Sequence, residues 1–396
     1  MPGFELFGDK ERKEVNDVLN SGVLMRYGFD KARDHYKAAE LEAMLEKRMK
    51  VKHAHLVSSG TAALTVALIS AGIGSGHEVI MPTFTFVATF EAILSVGAVP
   101  IMVNIDDTLG LEACAVEKAI TSRTKAIMPV HMCGSMTDLN PLRALCKKHD
   151  LVLIEDACQA IGGTYDNKPL GSIGDIGCFS FDYVKTITCG EGGALITNNK
   201  KYYTNAENYA DHGHDHLGVD RGADKHPFLG YNYRISELHA AVGVAQIKRL
   251  DAIIDTQKKH YSLLEKSLKT IPEVTLRRVP KGGEQNYSFI NFFLPTKQIA
   301  KKVHAEFLKE GIDASFYWYD NNWHYHTKWK HLKHLKTLSY FSNAIYNHLP
   351  NYDKSDFSAS DAIMSRTISC LIKLSWSKEE VKNRADKMAA IIKANI

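Results

Sequence analysis

The chain has 396 residues, 45% of them hydrophobic and 24% charged, enough to bury a large core and to fill roughly two or three domain-sized units. Its 49 basic and 45 acidic residues leave a formal net charge of only +4, which argues against a nucleic-acid partner. No apolar run is long enough to cross a membrane, no basic segment followed by an apolar one opens the chain, and the 7 cysteines form no CxxC pair, so a soluble cytoplasmic protein with reduced thiols is expected.

Strand-like and helical stretches alternate from about residue 53 to residue 200. VKHAHLV, 51–57, reads as a short strand that runs through Ser58, Ser59, Gly60 and Thr61 into a helix rich in Ala, Leu and Val. HEVIMP, 77–82, is a second strand, and Phe84 and Phe86 follow it at strand spacing just before another helix. VPIMVNI, AIMPVH, LVLIED and CFSFDY complete the strand candidates, with helical stretches such as LNPLRALCKKH between them. This alternation predicts an α/β sheet covered by helices on both faces. A long helical stretch from about Ser236 to Ile271 is expected to cross between two lobes, 1–250 and 251–396. The second lobe reads as mixed: TLRRV and YSFINFFLP as strands, and a closing helix from Lys378 to Ala394.

The chemistry concentrates in FSFDYVKTITCGEGGALIT, 179–197. Lys185 lies in a loop after an apolar strand, and lysine can hold a carbonyl cofactor covalently when its amine is partly desolvated. Ser180 can hydrogen-bond a phosphate, and Gly190, Gly192 and Gly193 let backbone approach a bulky ligand. LVLIED ends in two acids where open α/β sheets place ligand-binding groups. Strand alternation turns Glu155 to the face opposite Asp156, which leaves Asp156 to pair with the ring nitrogen of a pyridoxal phosphate-type cofactor. Gln159 can donate to such a cofactor's phenolic oxygen. The free N–H groups at the helix start, with Gly60 and the Thr61 hydroxyl, make a phosphate cradle. One of Phe84 and Phe86 can stack on a flat ring. Each feature alone has a plainer reading: a solvated loop lysine, a capping acid, an ordinary SSGT cap, a core aromatic pair.

Together these segments resemble the sugar aminotransferases of the DegT/DnrJ/EryC1/StrS family. The GTAAL, FTFVAT, VHMCG, EDACQA, GDIGCFSF, GEGG and GYNYRISELHAA runs stand in family order, from the GFELFGDKERKEVNDVLNSG opening to beyond residue 245. The resemblance implies a fold type I pyridoxal phosphate-dependent transferase: a large α/β/α domain with a mixed, mostly parallel sheet and a smaller α/β C-terminal domain. It implies pyridoxal 5′-phosphate as cofactor, with pyridoxamine phosphate as its amine-carrying form, and no metal. Lys185 and Asp156 are the implied catalytic pair; Gly60, Thr61, Phe86, Gln159 and Ser180 are the implied cofactor contacts. Asn232 matches an asparagine that family dimers lend to the neighbouring subunit's phosphate site, so a homodimer with shared active sites is implied.

Within the family the chain looks like a branch that moves an amino group, from glutamate, to the 8-aldehyde of a 3-deoxy-octulosonate destined for lipopolysaccharide. That likeness rests on MPGFELFG, DHGHDHLGVD, FDYVKTITCGEGG, FYWYDNNWHY and SDAIMSRTISCLIKLSW. The alternatives are an aminotransferase acting on a nucleotide-linked keto-hexose, a pyridoxamine phosphate-dependent sugar 3-dehydratase, and a non-catalytic binder. The dehydratases carry histidine where Lys185 stands, and an intact Lys185, Asp156 and Gln159 set speaks against a binder. Arg26 is the first candidate cation for the sugar acid's carboxylate, with Arg366 second; Tyr183 and His324 are further candidate substrate residues. The cluster His212, His214, Asp215, His216 is the competing, metal-binding reading of this histidine-rich stretch.

Overall fold

The computed structural model describes residues 3–218 and 221–396. The first two residues of MPGFELFG and the last two of DHGHDHLGVD lie outside the described residues.

A seven-stranded sheet forms the larger lobe. Its strands are β1 His53–Val57, β2 Glu78–Pro82, β3 Val99–Val103, β4 Thr124–Ile127, β5 Val152–Asp156, β6 Ile176–Ser180 and β7 Gly193–Thr197, in the spatial order β1-β7-β6-β5-β4-β2-β3. All neighbours are parallel except β7, which lies antiparallel between β1 and β6. The sheet is therefore mixed and mostly parallel, as the resemblance implies. Strands buried along nearly their whole length, such as β2, β6 and β7, are apolar runs because helices cover both faces.

Four helices of this lobe matter for the site: α1 Asp9–Ser21, α2 Lys37–Met49, α3 Gly60–Ser70 and α4 Val87–Ser95. Helix α3 starts where the Ser59 side chain accepts the Ala62 N–H at 3.0 Å. GTAALTVALIS is apolar around nearly its whole circumference, and the helix is buried accordingly, against β6, β7 and α4. It points its N-terminus at the carboxyl ends of the strands.

The stretch expected as one helix from Ser236 to Ile271 is two: α5 Glu237–Ile247 and α6 Leu250–Leu268. Arg249 leaves helical geometry at φ −105° and ψ −3°, and its guanidinium reaches Glu11 at 2.8 Å. The break lets α5 pack on α1 and α2 while α6 turns to pack on the closing helix, α7 Lys378–Lys393. A four-stranded sheet with its own core completes the chain: β8 Thr275–Leu276, β9 Phe289–Phe293, β10 Ser315–Phe316 and β11 Thr367–Leu371. TLRRV keeps only two strand residues, because Arg277 turns inward and donates to the carbonyls of Thr108 and Met132, both at 2.6 Å.

One contact between the halves of the chain bears on function. Residues 323–325 lie against 84–87: the Thr85 N–H donates to the His324 carbonyl at 3.0 Å, the Val87 N–H to that of Trp323 at 2.9 Å, and Phe84 bridges Tyr325. Among the described residues no helix is long and apolar enough to cross a membrane.

Candidate active site

A cavity of about 440 Å³ opens at the carboxyl ends of β2, β5 and β6, and it gathers residues from six separate stretches of chain. Gly60, Thr61, Phe86, Asp156, Gln159, Ser180, Lys185 and His324 all line it.

The floor is built from strand ends. Asp156, 4% exposed, accepts the Thr89 hydroxyl on Oδ2 at 2.8 Å and the Cys158 N–H on Oδ1 at 3.2 Å. Glu155 points the other way: it accepts the N–H groups of Gly171, Ile173 and Gly174 at 2.6–2.8 Å and pairs with His131 at 2.9 Å. Two neighbouring acids thus have separate surroundings, one cavity-facing and one committed to a loop. Gln159 gives its amide oxygen to the Cys133 N–H at 2.9 Å, which leaves its two amide donors for the cavity.

The wall opposite is the α3 N-terminus. A Cβ added at Gly60 would stand 2.6 Å from the Ser180 Cβ, so only glycine lets this turn and β6 approach so closely. Ser59 caps Ala62, and the Gly60 and Thr61 N–H groups are first-turn donors beyond its reach. With the Ser180 hydroxyl they form a compact cluster of donors. Phe84 is fully buried against Trp318, whereas Phe86 caps α4 and stacks on Trp323 at 5.6 Å.

Lys185 lies in the turn between β6 and β7. His324 enters from the second lobe, its Nδ1 at 3.0 Å from the Asn321 side-chain oxygen and its ring 4.4 Å from that of Trp318. Burial, together with the nearby Lys185 charge, pushes the His324 imidazole down to about 3, so it is neutral around pH 7. Its Nδ1 carries the proton that Asn321 accepts, and Nε2 keeps a free lone pair. Burial and the neighbouring Asp156 raise the Cys158 thiol well above its usual range, so it stays protonated.

The chain is similar to known proteins along most of its length. The model of the DegT/DnrJ/EryC1/StrS aminotransferase family matches residues 6–389. The chain belongs to that family. GDP-perosamine synthase of Vibrio cholerae is 38% identical over 264 residues, which cover 66% of this chain and 69% of that one; the Escherichia coli O157:H7 enzyme of the same name is 37% identical over 266 residues, 67% and 70%. Among solved structures, an aminotransferase from Psychrobacter cryohalolentis superposes with a TM-score of 0.84 over 98% of both chains at 22% identity, which speaks for the fold. As a family member the chain is a pyridoxal phosphate-dependent sugar aminotransferase.

The residues present fit that cofactor. The donors of Gly60, Thr61 and Ser180 suit a phosphate, Phe86 offers a flat apolar face, Asp156 is a buried acceptor for a ring N–H, and Gln159 holds free donors.

Three expected contacts are not brought to the cavity within one chain. Tyr183 is 54% exposed and its ring stacks on Phe4 at 4.9 Å, so it faces away from the lining. Asn232 is exposed on the 211–235 loop, where its Oδ1 accepts the Arg234 N–H at 3.2 Å. Arg26 is 8% exposed; it donates to Glu42 at 2.7 Å and to the Leu56 carbonyl at 3.4 Å, while Glu42 also accepts the Leu56 N–H at 2.7 Å. The correction for Arg26 is physical: a buried guanidinium already neutralised by Glu42 has no charge to offer a sugar carboxylate. Arg366, the second choice, spends its donors on the carbonyls of Ala362 and Leu294. In the histidine cluster, His214 faces Asp224 at 3.3 Å and His216 stacks on Tyr27 at 4.5 Å, with their own rings 6.2 Å apart, and among the described residues no group of three or more His, Cys, Asp or Glu is placed to hold a metal.

Arg26→Ala is therefore expected to lower folding stability by about 3–5 kcal/mol, because Glu42 is left buried without its cation. Urea unfolding measures that loss, and steady-state kinetics on the folded fraction should find both substrate KM values nearly unchanged. A KM increase confined to the sugar would put Arg26 back at the substrate.

Sequence reasoning missed Thr89, which links Asp156 to Thr85 (Oγ1–Oγ1 2.7 Å), and Asn286. Asn286, fully buried, donates to the carbonyls of Gln159 and Ile161 at 3.2 and 3.1 Å and so ties the second lobe to the cavity floor. The Thr85–Thr89 spacing of four residues across a helix start was the one signal available for the first; the second has no local signal.

Proposed function

We propose that the chain transfers an amino group from an amino acid, glutamate by resemblance, to the carbonyl carbon of a keto-sugar, and that the sugar is carried on a nucleotide. The observation that carries the choice of acceptor is the charge of the cavity: Asp156, Asp182 and Glu191 line it, and Lys185 is the only lysine or arginine there among the described residues. A free eight-carbon sugar acid would bring its carboxylate within about one sugar ring of the reacting carbon, among these acids and without a fixed cation. A nucleotide diphosphate extends farther and can leave its charge outside. The name of the GDP-perosamine synthases supports the same side.

A second reading keeps the octulosonate acceptor. Trp323 and His324 line the cavity, and they belong to FYWYDNNWHY, the segment that departs from the general family pattern. A specialised acceptor wall is a reason for a specialised acceptor.

In either case the residues divide the work in one way. When bound, the cofactor supplies an electron sink for the pair released as the donor's α-carbon loses its proton. Lys185 would hold the cofactor between turnovers, and its Nζ, when free, would carry the proton that leaves the donor's α-carbon and would return one for the sugar. Asp156, held in place by Thr89 and the Cys158 N–H, would keep the ring nitrogen protonated. Gln159 would donate to the ring oxygen, Phe86 would offer its flat face to the ring, and Gly60, Thr61 and Ser180 would hold the phosphate. The donor leaves as a keto acid and the sugar leaves as an amine, so the kinetics are ping-pong. Asn232 completes the phosphate site of a partner subunit in a homodimer.

The test is direct. Enzyme loaded with pyridoxamine phosphate is mixed with keto-sugars, with and without a nucleotide, and return of the visible absorbance of lysine-bound cofactor is followed. Response to nucleotide-linked keto-hexoses supports the first reading, and response only to the octulosonate aldehyde supports the second. Response to simple keto acids but to no sugar sinks both.

A further inference from the structure

The turn that carries Lys185 is held from outside by the beginning of the chain. Within the turn, the Lys185 N–H donates to the Asp182 carbonyl at 3.0 Å and the Val184 N–H to the Asp182 side chain at 3.1 Å. The Lys185 carbonyl has no partner there; it accepts the Gly3 N–H at 3.0 Å. Gly3 is buried, and a Cβ at this position would stand 2.9 Å from the Lys185 oxygen, 3.0 Å from the Thr186 oxygen and 3.1 Å from the Ile187 Cα. All three are backbone atoms, which cannot yield by a side-chain rotation. The neighbouring Phe4 stacks on Tyr183 at 4.9 Å with the rings 16° apart. The same short turn, Gly3–Leu6, is anchored on its far side: Glu5 accepts the Ser375 N–H at 2.7 Å, and the Leu6 carbonyl accepts the Arg249 guanidinium.

We propose that Gly3–Leu6 is a positioning element for the catalytic lysine: it fixes the Lys185 backbone from the side away from the cofactor. The inference rests on the role given to Lys185 above. That role asks for two things at once. The side chain must leave the cofactor, move a proton and return, while its anchor stays still, because a displacement of about 1 Å at a reacting group can cost about a hundredfold in rate. A backbone carbonyl tied to a second, separately anchored segment meets that demand, and an absent Cβ permits the approach. Phe4 adds a flat contact to the residue two before the lysine, which also gives Tyr183 a task in place of the substrate contact expected of it.

The test uses the full-length holoenzyme. Gly3→Ala is expected to slow the single-turnover reaction with glutamate by about ten- to a hundredfold. It should also shift the pH at which the visible band of lysine-bound cofactor changes, with the glutamate KM close to wild type. Gly8→Ala, where an added Cβ meets nothing within 4 Å, should leave the rate, the band titration and the glutamate KM unchanged. Because Gly3→Ala can fail to fold, Phe4→Ala is measured beside it; loss of one stacked ring should slow the same single turnover by about two- to tenfold. Wild-type rates and an unmoved band titration in a folded Gly3→Ala, or an unchanged rate in Phe4→Ala, overturn the proposal. Failure of the underlying reading looks different: Lys185→Ala would then keep the visible band, whatever Gly3→Ala does.

Discussion

Lys185→Ala is expected to purify without the visible absorbance of lysine-bound cofactor and to lose transamination, by roughly 10²–10⁴-fold or more, because one amine both holds the cofactor and moves the proton. Lys200→Ala, on the surface helix Lys200–Tyr209, should change neither property. Added pyridoxamine phosphate should still bind to Lys185→Ala, since the phosphate donors of Gly60, Thr61 and Ser180 are untouched. The variant also probes the assembly. Mixed and exchanged with an Asn232→Ala protomer, it should form heterodimers in which one of the two sites has both residues intact. Activity above that of either parent is the expected result; none after verified exchange would leave Asn232 without a role across the interface. Full turnover by Lys185→Ala alone would sink the mechanism.

The parts of the site that were legible in the sequence are those fixed by local rules. A strand alternates its faces, so the order Glu155-Asp156 alone says which acid can look into a cavity at the strand's end. The packing follows that rule, with Glu155 spent on the 171–174 loop and Asp156 on the cavity. A Ser-Gly-Thr run before an apolar stretch says where a helix presents free N–H groups. The parts that were not legible depend on partners far along the chain. Strand β7, GALIT, sits behind Gly192 and is apolar at each of Ala194, Leu195 and Ile196, so it shows no alternation; its place between β1 and β6 comes from tertiary pairing. The break before Leu250 carries no Gly or Pro, and the helices part there because they pack on different lobes. Arg26 reads as a loop cation near a Gly and a Tyr. Only the fold brings Glu42 to it, from the inner face of α2.

The two acids of β5 give the second large prediction, in opposite directions. Asp156→Asn should keep the shape of the cavity floor, because an amide oxygen can still accept from Thr89 or Cys158. What it loses is the negative charge that keeps a ring nitrogen protonated. Removal of such a fixed electrostatic partner should lower turnover by roughly 10²–10³-fold, in both half-reactions alike. Stability should move the other way. Asp156 is a buried carboxylate with two donors, at 2.8 and 3.2 Å, and no cation bonded to it, so the unliganded protein bears a desolvation cost that the amide relieves. Unliganded Asp156→Asn is therefore expected to unfold at the wild-type midpoint or above it. Glu155→Gln should behave in reverse. Its carboxylate accepts three backbone N–H groups and pairs with His131, so its loss breaks a satisfied buried network and lowers the midpoint, while folded enzyme retains most of its turnover. Thermal unfolding of unliganded protein and single-turnover rates separate the two. A large stability loss in Asp156→Asn with catalysis intact would mean that this acid serves the fold, and that the charge acting on the cofactor lies elsewhere in the cavity, at Asp182 or Glu191.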